Sequence, residues 1–280
     1  MLRVLLFLAT NLAVMLMAAV AMSVLRALGF LPEGMNAQLL VWCAIFGMGG
    51  SFLSLAMSKQ IAIRTTRAHV IESPSNEGER WLFDTVQRHA QNAGIGMPQV
   101  AIYNSPDPNA FATGARRNAA LVAVSTGLLR VMDRREAEAV LGHEVSHIAN
   151  GDMVTLTLIQ GVLNVFVLFA ANVIASQFRN GRFLIYIGLQ MVFGLLASFI
   201  VAWFSRRREF RADEGGAKLQ SPQSMADALR RLKSLKDAPS QLPDALTAFG
   251  IRGEGMMRLM STHPPLEQRI ARLEAMAGGR

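Results

Sequence analysis

HEVSH, residues 143 to 147, sets the frame for the whole chain. On a helix, His143 and His147 stand four residues apart and share one face. Two neutral imidazoles so placed can grip one Zn²⁺ at about 2.0–2.1 Å each. Glu144 lies beside the first of them, where a carboxylate can hold a water molecule and take its proton. The alternative is a solvated helix with no chemistry. Against it, Asp133 is a good N-cap with Glu136 as its capping-box partner, and Gly151 stops the helix after Asn150.

Two ligands and a base leave a third ligand to find. A same-stretch glycine and third histidine are absent, because Asn150 and Met153 stand at those positions. From Met153 through Arg208 there is no His, Asp or Glu, so a carboxylate at short spacing is also missing. The first acid beyond that gap is Glu209 in EFRAD, with Asp213 four residues on along the same helical face. Asp152 is nearer in sequence but stands at a helix end, and is expected to point away. We therefore read His143, His147 and Glu209 as ligands of one Zn²⁺ per chain, with a position left open. Asp213 is the candidate to orient a ligand histidine; the plainer alternative is a surface pair with a nearby arginine.

The acid-free gap is itself informative. Hydrophobic residues make up 51% of the chain and charged ones 17%, against about 25% charged in soluble proteins. The mean hydropathy of +0.29 agrees and points to membrane spans. Four are expected: Val4 to Leu25, Leu39 to Met57, Met153 to Phe178 and Phe183 to Phe204. Ala19-Val20-Ala21 resembles a signal-peptide cleavage site, but the apolar run continues past it. The link from Ala27 to Gln38 carries no Lys or Arg, whereas Lys59, Arg64 and Arg67 follow the second span. Arg206, Arg207 and Arg208 follow the fourth, against Arg179 and Arg182 in the short link before it. Positive-inside bias then puts both soluble parts in the cytoplasm. The net charge of +8 is accounted for by these flanks, and with only two Tyr and no aromatic-interleaved basic patch, nucleic acid is not an expected partner. The single cysteine, Cys43, excludes an internal disulfide framework and a multi-thiolate metal site.

The organisation expected is residues 1–58, an N-terminal span hairpin; 59–152, the first soluble part with the HEVSH helix; 153–204, a second hairpin; and 205–280, a second soluble part with Glu209. Glu77 to Ala93 reads as a helix, with Trp81, Phe83, Val86 and Ala90 apolar and His89 on its surface. Gln99 to Tyr103 and Ala119 to Ser125 read as strands around Pro106 to Gly114 and a turn at 115–118, suggesting a hairpin. Helices are expected from Ser221-Pro222 and near Pro264-Pro265, separated by a loop with Pro239 and Pro243. The tail from Gly278 reads as disordered.

Taken together, PNAFATG (Pro108 to Gly114), HEVSHIANGD (His143 to Asp152), EFRAD (Glu209 to Asp213), STHPP (Ser261 to Pro265) and the paired hairpins resemble the HtpX membrane zinc proteases, relatives of the CaaX prenyl-protein proteases. The resemblance covers nearly the whole chain. It implies an α-helical membrane protein with four transmembrane helices and a cytosolic, mainly α (α+β) zincin-type protease domain holding a small β-sheet or hairpin. It implies Glu144 as general base and acid, Glu209 as third ligand, a stress-response role, and turnover of misfolded or damaged membrane proteins or unfolded polypeptides at the cytosolic face of a bacterial inner membrane. It also supports Asn109 and Ala110 near the cleft, where an edge strand can pair with substrate backbone. An ordinary hairpin loop with Phe111 in the core remains the alternative there. His263 is a candidate donor to the oxyanion, and Arg269 an anchor or assistant; a helix-capping segment is the alternative for both.

Two other function classes fit less well. A non-proteolytic membrane scaffold with a structural zinc needs a fourth protein ligand, Asp213 or His263. A transporter predicts charged or polar groups at midspan, and the spans hold a few amides and no ionisable side chain except Cys43 and Tyr186.

Overall fold

The computed structural model describes Ser23, residues 37–237 and residues 262–278. Apart from Ser23, the expected span Val4 to Leu25 lies outside the described residues, as do the loop with Pro239 and Pro243 and residues 279–280. Gly278 ends a helix.

The described chain divides into two compact units. One takes residues up to Ser54 together with Thr155–Val201, and its described residues are mainly helical. It holds most of α1 (Ala37–Thr66), α5 (Asp152–Ala175) and the first part of α6 (Arg182–Leu219). Each of these three helices is long and apolar enough to cross a membrane. Their large apolar side chains point outward, Phe183 being 71% and Met191 72% exposed. A contiguous apolar exterior of this kind suits lipid and not water. Inside the unit, Gln160 Nε2 donates to Asn164 Oδ1 (2.9 Å), and Asn164 Nδ2 to Ser51 Oγ across to α1 (3.3 Å). Asn164 thus faces the neighbouring helix, where polar groups in a bundle find partners, and Gln160 bonds to it along its own helix.

The other unit, Leu55–Val154 with Ala202–Arg280, carries a four-stranded sheet and the remaining helices. Its strands are β1 (His69–Val70), β2 (Gln99–Tyr103), β3 (Ala110–Thr113) and β4 (Leu121–Ser125), in the order β1-β2-β4-β3. The two strands expected to form a hairpin instead run parallel, Gln99 opposite Leu121, and the antiparallel partner of β4 is β3, Ala110 opposite Val124. A parallel pair needs a crossover, and the PDPNAFATG stretch supplies it while adding a strand of its own. β3 ends the sheet.

The core lies where α2 (Glu77–Asn92) and α4 (Arg134–Asn150) cover the sheet, through Leu82, Val86, Val100, Val122, Leu141 and Val145. His89 is buried there, not on the surface as its sequence position suggests. It continues the Leu82–Val86 stripe, and its Nε2 donates to the Glu138 carbonyl at 3.0 Å. After the short α3 (Thr126–Val131) comes α4, whose Asp133–Glu136 capping box is formed in both directions. The chain closes with α7 (Pro222–Asp237) and α8 (Leu266–Gly278), which pack through Met225, Leu229, Ile270 and Leu273.

Candidate metal centre

The site is built where α4 and α6 meet. Contact is close because Gly215 and Gly216 present no side chain: a Cβ on Gly216 would lie 3.0 Å from His143 N and 3.2 Å from Ala139 O. That approach lays the α6 turn carrying Glu209 and Asp213 against the α4 turn carrying His143 and His147. All four side chains are buried, as is Glu144.

Three of them converge. His143 Nε2 and His147 Nε2 face each other at 3.1 Å. Glu209 Oε2 lies 3.6 Å from His143 Nε2, and Oε1 3.4 Å from His147 Nε2. Separations of this size bring one donor atom from each residue within reach of a single ion. Glu209 Oε2 is buried with no hydrogen-bond partner. That oxygen stands 3.6 Å from His143 Nε2, 3.5 Å from His263 Nε2 and 3.6 Å from Arg269 Nη1, too far for a hydrogen bond to any of them, so a cation seated among the donors would meet a demand they leave unfilled. Among the described residues these three form the metal-competent His/Asp/Glu cluster, and the donor set suits zinc.

Each imidazole is backed on its other nitrogen. Asp213 Oδ1 lies 3.0 Å from His143 Nδ1, at ion-pair distance although not aligned as a hydrogen bond. Asp213 is in turn held by Arg269, with Nε donating to Oδ2 (2.7 Å) and Nη2 to Oδ1 (2.6 Å). Asp152 Oδ2 lies 2.7 Å from His147 Nδ1, and Arg211 Nη2 donates to Asp152 Oδ1 at 3.2 Å. Asp152 therefore points at the site, contrary to the expectation that a residue at the helix end turns away. Gly151 adopts φ 70°, which reverses the chain, and Asp152 opens α5 with its carboxylate directed back at the last turn of α4. Its sequence signal is the Gly-Asp pair directly after a helix that carries ligands. Burial opposes charging His147, yet its hydrogen bonds to Asp152 and Glu209 outweigh that and push its pKa up to about 9. The carboxylates thus favour positive charge at this place, whether from a proton or a metal.

Burial raises the Glu144 pKa, while the Ala112 backbone N–H hydrogen-bonds to its carboxylate and works the other way. Ala112 lies in β3, so the sheet edge is tied to this side chain. Around it, Asn109 N donates to Ser125 Oγ at 3.0 Å, and Ala110 begins the strand. Phe111 is only partly buried, its ring 5.7 Å from that of Tyr103. His263 Nε2 lies 3.5 Å from Glu209 Oε2 with its side chain 63% exposed, on the open side of the cluster. Arg269 is buried and committed to Asp213, with Nη1 3.6 Å from Glu209 Oε2.

The profile of peptidase family M48 matches residues 76–277, which contain every residue of this site. The chain is 56% identical to the protease HtpX of Idiomarina loihiensis, over 97% of this chain and 98% of that protein. It is 54% identical to the protease HtpX of Vibrio cholerae, over 98% of this chain and 99% of that protein. Among solved structures it resembles the crystal structure of S. mikatae Ste24p, with TM-score 0.63 and 18% identity, covering 96% of this chain and 67% of that one. At that identity the likeness speaks for the fold alone. A profile match over most of the chain, with relatives more than half identical from end to end, shows that this protein belongs to peptidase family M48, as a metalloprotease with membrane-spanning helices.

Proposed function

We propose that the chain is a zinc-dependent endopeptidase that cuts misfolded or damaged membrane proteins at the cytosolic face of a bacterial inner membrane. The observation that carries the reading is the convergence of His143, His147 and Glu209 beside a buried Glu144. His143 and His147 with Glu209 hold one Zn²⁺ per chain. Bound there, the metal supplies Lewis acidity toward water and the scissile carbonyl. Glu144 takes the proton of the attacking water and returns it to the leaving amine. β3, at the sheet edge, offers backbone to an extended substrate, with Asn109, Ala110 and Phe111 along the cleft. His263 donates to the developing oxyanion from the open side. Arg269 anchors Asp213, an assignment its fork of two hydrogen bonds favours over substrate contact. That fork also weighs against Asp213 as a fourth protein ligand closing a structural zinc site.

Four spans, with Val4 to Leu25 as the first, and the segments 1–58, 59–152, 153–204 and 205–280 complete the reading. Lys59, Arg64, Arg67 and Arg206 to Arg208 support a cytosolic site. Glu144→Gln tests the mechanism. The variant should keep its zinc and lose cleavage of a membrane-protein substrate by about 10²-fold or more. Cleavage at the wild-type rate would remove Glu144 from the chemistry.

A further inference from the structure

We infer that Asp152, held by Arg211, is a positioning residue for His147, so that each imidazole of the cluster has its own carboxylate–arginine backing. The inference rests on the metal-centre reading above. Asp152 is fully buried, and both of its oxygens are used: Oδ2 toward His147 Nδ1 (2.7 Å) and Oδ1 toward Arg211 Nη2 (3.2 Å). A histidine that gives Nδ1–H to a carboxylate is fixed in the tautomer whose Nε2 lone pair is free, and is a stronger ligand for it. In His147 that Nε2 is the atom facing Glu209 and His143. On the other side, Asp213, held by Arg269, stands 3.0 Å from His143 Nδ1, at ion-pair distance but without the aligned hydrogen bond that Asp152 makes.

The two backings differ in stiffness. The Arg269 side chain is 6% exposed and grips Asp213 with a fork of two bonds, whereas Arg211 is 57% exposed and reaches Asp152 with one. Solvent screens the second arginine far more than the first. Their placement also differs. Asp152 is the first residue of α5, and Arg211 lies on α6 between Glu209 and Asp213. The Asp152–Arg211 pair therefore joins the start of α5 to the α6 turn that carries the carboxylate ligand. His147, at the end of α4, is oriented by the helix that follows it.

The test is Zn²⁺ affinity of the full-length protein in detergent, by competition with a chromophoric chelator, with the thermal midpoint measured alongside. Asp152→Ala should bind Zn²⁺ about 10–100-fold more weakly. Asp152→Asn keeps an acceptor for Nδ1–H and should recover part of that loss. Arg211→Ala should lose less than Arg269→Ala, in line with its exposure. A purely structural role would lower the midpoint and leave affinity alone, so Asp152→Ala at wild-type affinity overturns the inference. If Asp152→Ala does not fold, wild-type affinity in both Asp152→Asn and Arg211→Ala overturns it instead. His147→Ala and Glu209→Ala run as controls. Wild-type affinity in those two would sink the metal-centre reading itself, and the role of Asp152 with it.

Discussion

His89 is enclosed between α2 and α4, with Nε2–H given to the Glu138 carbonyl and Nδ1 buried without a partner. Burial, first, and the nearby Arg88 hold its pKa below the ordinary 6.5, while the hydrogen bond and charge of Glu138 oppose them. The folded state thus prefers the neutral ring. The unfolded chain takes up its proton first as pH falls below 6.5, so stability is present above that pH and is lost below it, until the folded pKa is also passed. Thermal midpoints in detergent should therefore fall between about pH 7 and about pH 5 more steeply for wild type than for His89→Gln. Equal slopes would mean that His89 is not the group responsible. Residue type alone did not reveal this enclosure, because a lone His on a helix with many polar neighbours reads as solvated. The partner that buries it, Glu138 O, comes from another helix.

Helix boundaries were legible where chemistry marks them. The Asp133 capping box and Gly151 at φ 70° delimit α4, and Pro222 opens α7. The sheet was less so: an edge strand was expected in the PNAFATG stretch, but short apolar strands do not announce whether they pair in parallel, and the two-residue β1 carried no signal. That α4 and α6 meet was implied by the ligand set, but the means of their close approach was not legible. It depends on Gly215 and Gly216 meeting Ser146, His143 and Ala139, residues remote in sequence. Gly216→Ala places a Cβ against backbone that cannot swing aside, so it should destabilise by about 1–3 kcal/mol. It should also weaken zinc retention by moving Glu209 off the histidines. Gly188→Ala, on the same helix with open space around it, is the comparison and should do neither. Melting and zinc content of the two variants decide whether the approach at Gly216 positions the site.

Over the whole molecule, the decisive feature is one long helix. α6 runs 38 residues without a break, about 57 Å at 1.5 Å per residue, roughly twice the hydrocarbon thickness of a bilayer. Its longer, apolar part can span a membrane, and the last third, after Arg206, carries Glu209 and Asp213. The acid-free stretch from Met153 to Arg208 made Glu209 the natural third donor from sequence. The Asp152 backing of His147 was missed although Gly151 was legible as the helix stop, because the reversal there turns the Asp152 carboxylate back toward α4 when a residue past the helix end was expected to point away. The central claim is that a carboxylate supplied from beyond an apolar hairpin completes the metal centre. Zinc bound per chain, measured on purified wild type and Glu209→Ala with folding checked by circular dichroism, tests it most directly. The account predicts one zinc per wild-type chain and its loss in folded Glu209→Ala; a folded Glu209→Ala that retains one zinc per chain would contradict it.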